Sequence, residues 1–143
     1  MKKVFQHVAL LPDQYLGRVD EDGKVYQSLH GPNRPDKYIG RVDLSTGKIY
    51  DAQVAIEKYI GRVELDNGKV FLATIGPDEY LGRVEKDGHI FHHKRLAPDQ
   101  YLGKILDMAS FTYGGAAFLL LVLPEYIKDS EPKDKFAPQD TGI

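Results

Sequence analysis

Five copies of one short motif constrain this chain more than any other feature. Tyr15-Leu16-Gly17-Arg18-Val19 returns as Tyr38-Ile39-Gly40-Arg41-Val42, Tyr59-Ile60-Gly61-Arg62-Val63 and Tyr80-Leu81-Gly82-Arg83-Val84, and Tyr101-Leu102-Gly103-Lys104-Ile105 closes the series. The tyrosines are 23, 21, 21 and 21 residues apart. A period this short implies one supersecondary unit repeated in space. In the first four copies a turn and a second β-rich run follow, at Gly23-Lys24-Val25-Tyr26, Gly47-Lys48-Ile49-Tyr50, Gly68-Lys69-Val70-Phe71 and Gly88-His89-Ile90-Phe91. Two such runs joined by a polar stretch ending in Gly make a β-hairpin.

Cross-strand chemistry sets the register. A three-residue loop, Glu21-Asp22-Gly23 with Gly left-handed, places Asp20 opposite Lys24, Val19 opposite Val25 and Arg18 opposite Tyr26. Four-residue loops in the longer copies keep the same partners, Asp43 with Lys48 and Glu64 with Lys69. Acid meets base and apolar meets apolar, and a slip of one residue would undo every pair.

The fifth copy lacks a second strand, whereas the chain begins with an orphan one. Val4-Phe5 precedes Leu11-Pro12-Asp13-Gln14-Tyr15 as Ile90-Phe91 precedes Ala97-Pro98-Asp99-Gln100-Tyr101. The N-terminal strand is therefore expected to pair with the fifth copy, Val4 opposite Ile105, which closes the array and removes its edges. The fold class is all-β, five hairpins over residues 1–106 closed into a propeller-like ring or a ten-stranded meander barrel. Prolines in the connections (Pro12, Pro32, Pro35, Pro77, Pro98) favour the ring. Strict alternation puts Tyr15, Gly17, Val19 and Val25 on the core face, with Leu16, Arg18, Asp20, Lys24 and Tyr26 on the solvent face. The strand glycine marks a bulge or a close approach, and a neighbouring aromatic could lie flat on it.

Residues 107–127 break the pattern. Ala109 to Leu123 carry no charge, and residues 116–123 are unbroken apolar sequence. A helix apolar all round must be buried on every side or sit in lipid. A hairpin ring of this length has little interior to offer, so the expected homes are a membrane, a bundle of several chains' helices or a buried strand pair. Fifteen residues fall short of the roughly 18–20 that span a bilayer. Gly114-Gly115-Ala116 would permit close helix contact in either of the first two cases. Residues 128–143 form a charged, Pro-containing tail expected to be mobile.

Several function classes are disfavoured. A net charge of −2, from 19 basic and 21 acidic residues, is a poor footprint for nucleic acid. With no cysteine, thiolate metal sites and cysteine nucleophiles are excluded. The start, Met1-Lys2-Lys3-Val4-Phe5-Gln6-His7, does not read as a secretory signal, because its apolar run is cut short and Val4-Phe5 belongs to the repeat. The expected location is the cytoplasmic side, with the apolar segment as an anchor.

Arg18, Arg41, Arg62, Arg83 and Lys104 hold one position in all five copies and are the candidate ligand-binding set. Facing the ring axis they would form a circle of cations for an anion. Otherwise each is neutralised by the carboxylate two residues on (Asp20, Asp43, Glu64, Glu85) and rests on Tyr26, Tyr50, Phe71 or Phe91 as a cation–π pair. Lys104, followed by Leu106, lacks that carboxylate. His89, His92 and His93 could bind metal only with help from His7 or Asp99, because alternation splits them between faces. No metal, cofactor or catalytic residue is assigned, since Ser28, Ser45 and Ser110 have no recurrent acid–base setting and no phosphate loop occurs.

The repeat units resemble the hairpin repeats of bacterial β-flower proteins over residues 1–106. That resemblance implies architecture alone, and five units and the apolar segment set this chain apart. The expected function is a non-catalytic interaction or scaffold module. It would be held to a membrane or larger assembly, or self-associated, through residues 109–123. Binding of a small ligand, an anion or glycan, is the alternative.

Overall fold

The computed structural model describes residues 1–30 and 34–130. Ten antiparallel strands, each paired with its sequence neighbours, close into one barrel. They are β1 (Lys2–Gln6), β2 (Gln14–Val19), β3 (Lys24–Gln27), β4 (Lys37–Val42), β5 (Lys48–Asp51), β6 (Lys58–Val63), β7 (Lys69–Leu72), β8 (Glu79–Val84), β9 (His89–His92) and β10 (Gln100–Ile105). The registers are those expected from the chemistry: Val19 faces Val25, Arg18 faces Tyr26, and Val4 faces Ile105 across the closing seam. Gly23, Gly47, Gly68 and Gly88 end the turns with φ of 92°, 81°, 78° and 92°, the left-handed region that Gly enters without penalty.

A barrel, and not a ring of separate hairpins, forms because β3 pairs with β4 along its whole length, from Lys24 opposite Arg41 to Gln27 opposite Lys37. The other inter-hairpin seams do the same. Pro12, Pro35, Pro77 and Pro98 lie in the loops beyond the ladders, where a missing N–H costs nothing. Pro32 falls outside the described residues.

The strict alternation needs one correction. At every inter-hairpin seam the register skips a residue: Val4 faces Gly17, but Phe5 faces Tyr15. The same bulge recurs between β3 and β4, β5 and β6, β7 and β8, and β9 and β10. One extra residue flips the side chains before it. Leu16, Ile39, Leu81 and Leu102 therefore turn into the core, while the tyrosines join the arginines outside. A Cβ on Gly17, Gly40, Gly61, Gly82 or Gly103 would come within 3.0 Å of the carbonyl oxygen of Tyr26, Tyr50, Phe71, Phe91 or Phe5. The strand glycine thus accommodates a backbone carbonyl; no aromatic ring lies on it.

The apolar segment runs through the barrel. Asp107 and Ala109 adopt φ of 55° and 67°, reversing the chain at the turn end and sending it back into the lumen. One continuous helix follows: α1 (Phe111–Ala117), a widened turn at Phe118–Val122, and α2 (Leu123–Ser130). In the widened turn Leu123 N–H donates to Phe118 O, five residues back. Gly114 to Val122 are all buried, and Phe118 has no exposed surface. Burial of each large side chain here stabilises the fold by about 1.5–3 kcal/mol. Helix and barrel match in size. Gly114 and Gly115 lie against Val84 and Val63 in the ring of large residues, and Leu119 and Leu120 reach Gly61 and Gly40 in the ring of glycines.

This overturns the premise that the repeat encloses little space. Eight strands leave an interior that side chains alone fill; two more admit a helix about 10 Å across. Within the apolar stretch 109–123, Gly114 to Val122 are buried by their own barrel, so their apolarity requires neither lipid nor a second chain. Among the described residues no helix is long and apolar enough to cross a membrane. Residues 128–130, expected in a mobile tail, belong to α2. The rest of that expectation concerns residues 131–143, outside the described residues.

Candidate functional site

The repeat builds five similar clusters around the outside of the barrel. Each starts from an arginine or lysine that alternation turns outward, beside the tyrosine that the bulge turns outward. Arg18 lies over the Tyr26 ring at 4.2 Å, Arg41 over Tyr50 at 4.3 Å, Arg62 over Phe71 at 4.2 Å and Arg83 over Phe91 at 4.4 Å. Lys104 stands 5.9 Å above Phe5. The repeat tyrosine packs on the same aromatic, as Tyr38 does on Tyr26 at 5.6 Å. Burial raises the pKa of Tyr15, Tyr38, Tyr59, Tyr80 and Tyr101, so these hydroxyls stay protonated.

The candidate cations thus face outward, away from the axis. They are also neutralised. Arg18 pairs with Asp20 at 2.9 Å, Arg62 with Glu64 at 3.2 Å and Arg83 with Glu85 at 3.1 Å, the partners expected from the spacing. Asp43 instead accepts from the Ser45 hydroxyl at 2.7 Å. A second carboxylate, two residues before the tyrosine of the following copy, completes each cluster. Asp36 pairs with Arg18 and Asp99 with Arg83; Glu57 takes Arg41 in a two-point grip at 2.8 Å, and Asp78 takes Arg62 at 3.0 Å. Asp13 pairs with Lys104 at 3.4 Å across the closing seam. This acid stands at the same place in all five copies, a regularity visible in the sequence. Arg18, Arg62 and Arg83 each hold two carboxylates and Arg41 and Lys104 one, so every cation of the set is paired.

The histidines disperse. His89 Nδ1 meets Asp87 at 2.7 Å and His93 Nδ1 meets Asp99 at 3.3 Å. His92 meets the Tyr126 ring edge-on at 5.6 Å, and burial, then Lys94, pulls its pKa down. Among the described residues no three metal-ligating side chains converge.

The two ends of the barrel differ. At the turn end the tips carry Glu21, Asp22, Asp66, Asp87 and Asp107, and Lys2, almost fully buried, donates to Asp107 O at 2.9 Å and pairs with Glu21 at 2.9 Å. At the loop end, Leu10, Ile75 and Leu96 have relative exposures of 102%, 108% and 98%, and Ile56 of 80%. Four different loops thus each hold an aliphatic side chain in solvent. A cavity of about 250 Å³ opens beside the helix end at this rim, lined by Gln6, His7, Gln100, Tyr126 and Asp129 among others. Gln6 is almost wholly buried; its amide N–H donates to Asp129 at 3.2 Å, but its carbonyl oxygen has no partner.

No family model matches this chain, and neither does any curated protein or solved structure.

Proposed function

We propose that this protein is a non-catalytic interaction module whose working surface is the outside of a self-filled barrel. The observation that carries this reading is the occupied lumen. A barrel of this size would ordinarily offer its interior to a ligand, and here the chain's own helix takes that space from Gly114 to Val122. Because residues 114–122 are buried in the barrel, this reading moves docking from that segment to the outer surface. Exposed loops on a closed scaffold are the remaining contact surface, the usual place for recognition on such a frame. A thermal-shift screen of inorganic anions, sugars, nucleotides and amines tests the reading. The module predicts no stabilisation by any of them. A compound that raises the melting temperature in a dose-dependent way would replace it with a ligand-binding function.

The second reading is a small-ligand site, and the cavity beside Gln6 is the observation that favours it. An unpartnered carbonyl oxygen, a carboxylate from Asp129 and the Tyr126 side chain suit a hydroxylic or ammonium group. An anion does not fit there. Loss of a screening hit on Gln6→Leu would assign the ligand to this cavity; an unchanged hit would exclude it.

A further inference from the structure

We infer that the loop rim is a docking face for the surface of an anionic lipid bilayer; this rests on the interaction-module reading and states what the module meets. The first ground is the shape of the apolar surface. Leu10, Ile56, Ile75 and Leu96 rise from four separate loops at one end of the barrel and touch almost nothing of their own chain. A protein partner buries a contiguous, shape-matched patch. Separate prongs suit a fluid phase that fills the space between them, and shallow insertion of aliphatic side chains at the headgroup boundary needs no membrane-spanning length. Two of the prongs are held outward at a conformational cost: Leu10 and Leu96 have φ of 66° and 62°, where a branched L side chain is uncommon.

The second ground is charge. Every acid in the described parts of the five loops, from Asp13 to Asp99, is ion-paired back onto the barrel wall. Arg34 and Arg95 project from the same loops with no ion pair among the described residues, and Lys94, bonded to Tyr126, adds a third cation. At the strand and helix ends of the same rim Lys37, Lys58 and Lys128 stand against Asp51, Glu79, Glu125 and Asp129, so with Arg34, Lys94 and Arg95 its described part holds six cations against four acids outside the ion pairs. An anionic surface attracts that excess, each nearby Lys or Arg adding to the attraction until salt screens it. The barrel would stand end-on, rim down.

Vesicle sedimentation with the full-length chain tests this, using phosphatidylcholine alone and phosphatidylcholine with one-third phosphatidylglycerol, at low and high salt. Wild type should sediment with the anionic vesicles and far less with neutral ones, and high salt should release much of it. Leu96→Asp and Ile75→Asp should each lower the partition coefficient about tenfold. Leu44→Asp, at the opposite end, should change nothing. All three should keep the wild-type melting temperature, which separates lost binding from lost folding. Wild type left in the supernatant with anionic vesicles overturns the inference, as does unchanged binding of a Leu96→Asp/Ile75→Asp double variant. If wild type instead scatters light as a dimer that Leu96→Asp splits, the rim docks a second copy: the lipid is refuted and the interaction module stands.

Discussion

Gly114→Ala and Val84→Ala, made singly and together, test whether the helix really lies against the barrel wall. A methyl on Gly114 would stand 2.5 Å from Val84 Cγ1, 2.6 Å from Met108 Sδ and 3.2 Å from Val84 Cβ. Overpacking of this kind costs about 1–3 kcal/mol, against which Ala gains about 1 kcal/mol of helix propensity over Gly. With two contacts under 3.0 Å the overpacking cost falls in the upper part of that range, about 2–3 kcal/mol, so the net for Gly114→Ala is a loss of about 1–2 kcal/mol. Val84 is fully buried, and truncating it to Ala opens a cavity worth about 2–3 kcal/mol. In the double variant the new methyl occupies the space that Cγ1 vacated, and the flexible Met108 thioether swings aside. The double variant should lose about 2 kcal/mol, well short of the roughly 3–5 kcal/mol expected if the two costs added. Urea unfolding followed by circular dichroism gives each value, provided the slope with denaturant stays constant. Additivity within about 0.5 kcal/mol would mean that Gly114 and Val84 do not touch, and the threaded barrel would be wrong.

Gly61→Val should cost about 3 kcal/mol, because its side chain would run into the Phe71 carbonyl and into Leu119 of the helix, whereas Lys69→Ala, on an exposed side chain, should stay within about 0.5 kcal/mol. Equal chemical-denaturation midpoints would refute the bulge placement. Ala109→Gly should stabilise the protein by about 0.5–1 kcal/mol, since φ of 67° is strained for Ala and easy for Gly; a lower melting temperature would contradict that. Arg41 holds the Glu57 carboxyl below its ordinary range, Asn67 and Arg62 do so for Glu64, and the Ser45 hydroxyl does so for Asp43. Depressed carboxyl pKa values give stability that is complete above the unfolded values and lost as pH falls through the folded ones. Acid unfolding should therefore be steepest below about pH 4. His92, also depressed, adds a gentler loss that begins below about pH 6.5 and that His92→Gln should remove.

The sequence made the pairing legible because hairpin register and barrel closure are written in local chemistry: acid opposite base, Val opposite Val, an orphan strand at each end. The inside–outside assignment was harder. Alternation has period two, and a bulge adds a residue without leaving a gap in the sequence. Its trace was the spacing itself, with apolar Leu16 and Val19 three apart and Tyr15 and Arg18 three apart on the other face. The second acid of each cluster was equally visible, at Asp13, Asp36, Glu57, Asp78 and Asp99. It was passed over because it sits in a loop, where polarity is unremarked. The helix could not be housed by inspection of its own residues. Gly114 and Gly115 followed by Phe118, Leu119 and Leu120 make sense only against a wall whose large residues and glycines run in the complementary order. That wall exists only after ten strands close.

Native-state hydrogen exchange of residues 112–122 tests the central claim, a barrel filled by its own helix, most directly. Measured on the full chain at several protein concentrations, with and without detergent, these amides should exchange only through global unfolding, at the same free energy as the β2–β8 strands. Their protection should not depend on concentration or detergent. Rapid exchange, or protection that appears only at high concentration or with detergent, would place the segment outside the barrel and return it to an oligomer or a membrane.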